Sequence, residues 1–308
     1  MFDLKRLTTF REVAQLGSFS AAASALSYTQ PAVSQQISVL EEQAGSRLLD
    51  RTPKGIRLTS AGEALLRHTE LIFARVEGAE AELEAIAGLR GGRVRLESFP
   101  TGGSSLIPAA TAIFRERHPE VELLLTIAAP DRFEERLRGA EIDIALVVES
   151  GLEPAGRHQG LHRVHVLDDP MYAVLPVGHR LAKRKNLCLT DLAEESWLMD
   201  ASPCPDADVV TGACMAAGFS PRVAIEHEDY AAIQGFVAAG VGVSLVPELA
   251  LQGVRDDVVV RSLKDCAPVR QVVALTSNEG QRPVAVDAVL EVLKETAPRM
   301  LVGGGAGS

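Results

Sequence analysis

The sequence predicts an α+β multidomain fold: a small N-terminal winged helix-turn-helix, one long linker helix, and a two-part α/β domain. Three observations lead there. Residues 18–57 read as two short helices, a tight join and a basic hairpin. Residues 60–88 carry apolar positions at alternating spacings of four and three. From Arg93 onward, strand-like and helix-like segments alternate, the pattern of an α/β domain. A length of 308 residues is long for one core and fits two or three domains.

Residues 4–16 form an amphipathic helix with Leu7, Phe10, Val13 and Ala14 inside. The next helix, Ser20 to Leu26, is alanine-rich and can be capped by Ser18 or Ser20. Ser27, Tyr28 and Thr29 stop it, because short polar side chains bond their own backbone. Pro31 suits the first turn of a new helix, where its missing N–H costs nothing. That helix runs to Ala44 and ends at Gly45, a left-handed cap. Ala32, Val33, Ile37, Leu40 and Ala44 share its inner face; Gln30, Ser34, Gln35 and Ser38 share the outer one. An uncharged face of amides and hydroxyls suits the donor and acceptor edges of bases in a major groove. Residues 47–58 then make a hairpin around Pro53-Lys54-Gly55, charged by Arg51, Lys54 and Arg57. Alone, such charges serve solubility; beside a recognition helix they suit phosphate or minor-groove contact. The candidate DNA-contacting set is Ser18, Thr29, Gln30, Pro31, Ser34, Gln35, Arg51, Lys54 and Arg57.

This stretch resembles the winged helix-turn-helix of LysR-type transcriptional regulators. The residues behind the resemblance are Phe10, Val13, Ala14, Gly17-Ser18-Phe19-Ser20, Ala22-Ala23, Leu26, Gln30-Pro31-Ala32-Val33-Ser34, Gln36-Ile37, Leu40-Glu41, Gly45, Leu48, Arg51, Gly55, Leu58-Thr59 and Ala61-Gly62. Leu49 departs from the family's usual Phe, a swap within a core. The resemblance implies binding to double-stranded promoter DNA, a homodimer paired again into a tetramer, and RNA polymerase as a further partner.

A long helix follows from Thr59 to about Leu89, with Ser60 and Glu63 at capping-box spacing. Leu65, Thr69, Ile72, Val76, Ala79, Leu83 and Ile86 form a heptad seam. A helix packed on its own domain is the plainer reading. Charges flanking a single seam favour dimerisation through Leu65, Ile72, Val76, Ala79, Leu83 and Ile86. Gly88, Gly91 and Gly92 end the helix and mark a boundary.

The remaining segments divide into two sets. The first has strands at 94–98, 121–127 and 142–148, with helices at 104–117 and 132–138. The second has strands at 171–176, 196–199, 223–226 and 243–247, with helices at 181–185, 209–217 and 230–238. A strand at 270–276 and a helix at 284–295 close the chain. A mainly parallel sheet in two hinged units, with a cleft between, is the expectation. Domain boundaries fall at 1–59, 60–89 and 90–302, the last split into 93–167 with 268–302 and 168–267; residues 303–308 read as a flexible tail. Phe114 with His118-Pro119, Leu137 with Asp143-Ile144-Ala145, and Val237–Val243 with Leu245 and Pro247 resemble the same family's effector-binding domain, which looks like a periplasmic binding protein.

Phe99-Pro100-Thr101-Gly102-Gly103-Ser104-Ser105 joins the first strand to its helix at a strand's carboxyl end, where open α/β sheets bind ligands. A helix start offers unpaired N–H groups, so an anionic effector is expected there; an ordinary serine cap is the plainer reading. The candidate effector set is Phe99, Thr101, Ser104, Ala128, Ser202, Cys204 and His227, with Ala128 supplied by the family resemblance and His227 equally readable as a solvated loop residue.

The net charge of −10 is uneven: residues 1–60 carry +2 and the rest −12, which confines DNA attraction to a small basic surface. No catalytic or nucleotide-binding fingerprint is present; Gly240-Val241-Gly242 leads into a strand. An enzyme and a plain solute-binding protein are the competing classes. No cofactor or metal site is expected; His158, His162 and His165 read as a surface strand. Four scattered cysteines, no long apolar run and no apolar leader point to a cytoplasmic protein with free thiols and no membrane association.

Overall fold

A computed structural model describes residues 1–52, 55–86, 92–128, 132–151, 158–201, 203–263, 266–277 and 282–301. The chain divides into two compact units: residues 1–80 with 139–141, and 81–138 with 142–308.

The first unit opens with α1 (Leu4–Leu16), α2 (Phe19–Ala25) and α3 (Gln30–Ala44). Ser18 caps α2 by accepting the Ala21 N–H, and Thr29 caps α3 by accepting the Ala32 N–H. Gly17 and Gly45 both end helices at positive φ, a conformation that costs glycine little. Leu7, Phe10, Val13, Val33, Ile37 and Leu40 meet in one buried core. The buried Thr9 hydroxyl reaches Gln36 Oε1 at 2.5 Å and ties α1 to α3.

Glu41 Oε1 then accepts the N–H groups of Leu48 and Leu49 at 2.8 and 3.2 Å. This fixes where β1 (Leu49–Thr52) leaves α3; β2 (Gly55–Leu58) returns antiparallel with Thr52 opposite Gly55. α4 (Ser60–Ile86) follows. Its cap is Thr59 rather than the Ser60–Glu63 box, because Thr59 Oγ1 accepts the Gly62 N–H at 3.0 Å and also donates to Arg47 O. Gly62 is required sterically: a Cβ there would stand 2.0 Å from Leu48 O.

The second unit contains β3 (Gly92–Ser98), α5 (Pro100–Ser104), α6 (Leu106–Arg117), β4 (Val121–Ile127), α7 (Phe133–Arg138) and β5 (Ile144–Glu149). Then come β6 (His162–Pro176), β7 (Ser196–Met199), α8 (Pro205–Ala216), β8 (Arg222–Glu226), α9 (Tyr230–Ala238) and β9 (Ser244–Pro247). β10 (Val258–Arg261), β11 (Val269–Thr276) and α10 (Val284–Met300) complete it. The main sheet runs β10-β6-β11-β5-β3-β4, with β9 also on β6; β7 and β8 form a separate pair.

The expected parallel sheet is in fact mixed. β3 lies parallel to β4 and β5, but β11 inserts antiparallel between β5 and β6, and β9 and β10 pair antiparallel with β6. Hydrophobic pattern marks a strand but not its direction, and β11 comes from a distant part of the chain. The short helix expected at 181–185 is a run of turns. Arg261 donates to Ala182 O, the acceptor a helix would need, while Leu181 and Ala182 bury inward. α10 extends past the expected end because Thr296 and Ala297 are also buried.

Two groups of cores result. Leu96, Phe114, Leu146, Val272 and Leu290 lie in one. Trp197, Val210, Leu245 and Leu263 lie in another. β6 and the segment before β11 pass from one to the other, which gives the two-subdomain arrangement with two crossings.

Candidate nucleic-acid interface and ligand cavity

α3 presents Gln30, Pro31, Gln35 and Ser38 exposed, with Ser34 half-buried beside them. The face is outward because Val33, Ile37 and Leu40 occupy the core at helical spacing. Thr29 and Ser18 spend an oxygen on capping, so both residues position helix starts whatever else they touch. Arg57 is exposed on β2. Lys54 and the side chain of Arg51 lie outside the described residues.

The heptad seam divides along α4. Leu65 and Ile72 pack on the unit's own core, and Thr69 is fully buried. Arg11 of α1 sits 4.5 Å from the Phe73 ring and 3.7 Å from Glu70, which anchors this half of the helix. Ala79 and Leu83 are exposed and Val76 is half-buried. The dimerisation set is therefore not uniform: Leu65 and Ile72 are half-buried against the first unit's own core, while Ala79 and Leu83 are exposed. The Ile86 side chain lies outside the described residues.

In the second unit a cavity of about 320 Å³ opens between the two subdomains. Phe99, Pro100 and Thr101 line it from the end of β3 and the start of α5; Phe133, Val147 and Val148 come from the same subdomain. Asp200, Ala201, Cys204, Asp206, Glu228 and Tyr230 line it from the other subdomain, and Arg270 from β11.

Arg270 is 1% exposed and organises the floor. It lies directly opposite Asp169 in the β6–β11 ladder, so the two side chains share a face. Its Nε and Nη2 donate to Asp169 Oδ2 at 2.9 and 2.8 Å, and its Nη1 to Asp206 Oδ2 at 2.6 Å. Nη2 also donates to Thr101 Oγ1 at 2.8 Å. Tyr230 donates its hydroxyl to Asp206 Oδ2 at 2.9 Å, and Asp169 Oδ1 accepts the Leu249 N–H. One guanidinium thus ties α5, β6, α8 and, through Asp206, α9. Phe99 lies under it at 5.3 Å.

Burial disfavours the charge on Arg270, yet Asp206 and Asp169 outweigh burial and hold the guanidinium above its ordinary value. Burial lifts Asp169 above the ordinary carboxylate range against the pull of Arg270. Asp200 is pushed up to about 6, first by burial and then by Asp206. Burial pushes the Cys204 thiol up to about 12, so it stays protonated and unreactive at neutral pH.

The structure brings three of the effector candidates together at the cavity: Phe99, Thr101 and Cys204. Ser104 and Ala128 are exposed and do not line it; His227 is an exposed loop residue whose Nδ1 accepts the Asp229 N–H. Ser202 lies outside the described residues. The helix start expected to hold an anion is also changed. The Phe99–Ser105 stretch is itself a helical turn, and the Ser104 and Ser105 hydroxyls donate back to Thr101 O. Sequence reasoning does not reach Asp169, Asp200, Asp206, Tyr230 or Arg270. Arg270 does leave a signal: it occupies the same alternating face as Val272, Ala274 and Thr276, where a lone charge needs a buried partner.

His158 lies between Glu134 at 3.0 Å and Glu149 at 3.2 Å, while His165 contacts Asp168. Among the described residues no group of three or more His, Cys, Asp or Glu side chains is placed to hold a metal, and no helix is long and apolar enough to cross a membrane.

A winged helix-turn-helix followed by a two-subdomain domain with a hinge cavity defines a ligand-responsive DNA-binding regulator. Likeness to known proteins makes this specific. Residues 4–63 match the bacterial regulatory helix-turn-helix protein model of the lysR family, and residues 87–298 match the LysR substrate binding domain. The chain is 33% identical to the transcriptional dual regulator GltC of Bacillus subtilis, over 80% of this chain and 81% of GltC. It is 31% identical to the regulator AlsR of the same organism, over 85% of each. In structure it resembles CbnR, a LysR family transcriptional regulator, with a TM-score of 0.70, 24% identity and coverage of 96% and 99% of the two chains. A full-length OxyR variant from Pseudomonas aeruginosa superposes with a TM-score of 0.74 at 20% identity, covering 96% of each chain. The chain belongs to the LysR family of transcriptional regulators: it has a DNA-binding domain and an effector-binding domain, and it is not an enzyme.

Proposed function

We propose that this regulator binds promoter DNA with α3 in a major groove, Gln30, Pro31, Ser34 and Gln35 toward base edges, and Arg51, Lys54 and Arg57 toward phosphates. Ser18 and Thr29 set the helix starts that aim this face. The observation carrying the reading is the exposed, uncharged polar face of α3 beside a wing with an exposed arginine. A structure of CbnR with its target DNA, 24% identical and with a TM-score of 0.71, supports DNA as the partner. Residues 1–59 act as the DNA-binding domain, 60–89 as the linker and 90–302 as the effector domain. The protein works in the cytoplasm, where RNA polymerase is a further partner.

A homodimer forms through the part of α4 left open, Val76, Ala79 and Leu83, continuing toward Ile86. Pairing of dimers into a tetramer rests on family membership. The effector occupies the hinge cavity against Phe99, Thr101 and Cys204, and changes how the assembly sits on DNA only if it prefers one subdomain arrangement. Of the groups expected from the sequence to hold an anionic effector, the serine hydroxyls of α5 are committed to Thr101 O, while the Thr101 hydroxyl still lines the cavity.

The test is footprinting on the DNA upstream of the protein's own gene, with wild type and Gln35→Ala, followed by sedimentation of Leu83→Asp. Loss of base-specific protection with Gln35→Ala and a smaller assembly with Leu83→Asp are expected. An unchanged footprint or an unchanged sedimentation coefficient overturns the corresponding assignment.

A further inference from the structure

The charge around the cavity is lopsided. Asp200, Asp206 and Glu228 line it, and among the described lining residues Arg270 is the only Lys or Arg. Arg270 has no charge to spare. Its guanidinium meets two carboxylates, those of Asp169 and Asp206, and is almost wholly buried. The three groups together carry a net charge of about −1 before Asp200 is counted. Asp206 is itself 7% exposed, and its Oδ1 has no hydrogen-bond partner among the described residues, while Oδ2 takes both Arg270 and Tyr230. A buried carboxylate oxygen without a donor is costly, and a charge-assisted donor relieves that cost.

Most features that ordinarily hold an anion are already occupied. The N-terminus of α8 faces the cavity, but Cys204 Sγ accepts the Ala207 N–H there, and Asp206 supplies a negative charge in the first turn. Thr101 Oγ1 accepts from Arg270, and its own O–H stays a neutral donor that brings no positive charge. His158 is held between Glu134 and Glu149. The aromatic rings of Phe133 and Tyr230, with Val147 and Val148, complete an apolar wall.

We propose that the effector of this protein carries a protonated nitrogen, an ammonium or amidinium, on a compact apolar or aromatic body. The cationic head lies toward Asp200 and Glu228, and the body against Phe133 and Val147. This rests on the reading of the hinge cavity as the effector site and names the class of molecule that site takes. The physical reason is that a carboxylate head would enter a site with net negative charge and, among the described residues, no uncommitted cation, whereas an amidinium would neutralise it. Aromatic faces in the wall add attraction for a cation.

The experiment is calorimetry of the full-length protein with benzamidine and benzoate, two probes of matched shape and opposite charge. Wild type is compared with Asp200→Asn/Glu228→Gln, which keeps size, and with Ala201→Trp, which fills the cavity. Wild type is expected to bind benzamidine at least ~tenfold more tightly than benzoate, and the double variant to lose ~tenfold or more for benzamidine. Ala201→Trp is expected to abolish that binding. Benzoate binding as tightly as benzamidine, or benzamidine binding unchanged in the double variant, overturns the charge assignment; so does absence of benzamidine binding to wild type. If benzoate binds and Ala201→Trp removes it, the cavity stands as the effector site and the cationic class falls. If Ala201→Trp leaves benzamidine binding intact, the ligand sits elsewhere and both fall.

Discussion

The outer face of α3 and the floor of the hinge cavity treat polar groups in opposite ways. On α3, Gln30, Gln35 and Ser38 stand in water, and the Ser38 hydroxyl donates within its own helix to Ser34 O. In the cavity, Thr101, Asp169, Asp206, Tyr230 and Arg270 are bonded to one another, with Asp169, Asp206, Tyr230 and Arg270 also buried. On the proposed reading, a face that meets varied base edges keeps its donors and acceptors open to solvent. A hinge that must hold two subdomains in a defined arrangement commits them. Substitutions should therefore be nearly silent for folding on α3 and severe at Arg270.

The largest effect should come from Arg270→Ala. It leaves two buried carboxylates without their shared cation, a loss of about 3–5 kcal/mol. Trp197, the only tryptophan in the chain and fully buried in the second subdomain, reports this through fluorescence during urea unfolding. A midpoint unchanged from wild type would mean the network is not structural.

Gly62→Ala tests the first unit in the same way. The added Cβ would meet Leu48 O, so the wing or α4 must shift, at a cost of about 1–3 kcal/mol. Thermal unfolding and gel shift should both respond, because the wing moves with Leu48. Normal DNA affinity in this variant would show that wing placement is not critical.

On α3 itself the contrast is between Gln35→Ala and Arg57→Ala. The first should cost ~1–3 kcal/mol at particular base pairs and little stability. The second should weaken all sites evenly and reduce the salt slope by about 0.9. Titration against single-base operator variants at several salt concentrations separates them; identical behaviour would erase the distinction between base and backbone contact.

The last effect concerns pH. Asp200 has its pKa raised from 3.8 to about 6, so the native state holds a proton that the unfolded chain has lost between those values. Stability from this group is present below pH ~4 and is lost as pH rises toward ~6, after which it is constant. Asp200→Asn keeps an acceptor for the Ala201 N–H and should remove that slope. Melting temperatures from pH 4 to 8 should converge at the acid end and favour the variant at the neutral end. Parallel curves would place the titration on another group.

Local signals suffice for the elements of the DNA-binding unit. Thr29, Pro31 and Gly45 bracket α3, and the spacing of Val33, Ile37 and Leu40 turns Gln35 outward; each signal acts within a few residues. Local reading also reaches the strand end at Phe99 and Thr101, and picks out Cys204 at the start of α8. The rest depends on contacts that span the chain. Arg270 is 101 residues from Asp169 and 169 from Thr101, and no local rule pairs them. They meet because β11 inserts antiparallel between β5 and β6, an outcome of long-range strand pairing. The heptad of α4 is likewise divided by packing: Leu65 and Ile72 are half-buried against the first unit's core, while Leu83 is exposed. Periodicity states that a face is apolar; what covers that face depends on which elements the rest of the chain brings against it.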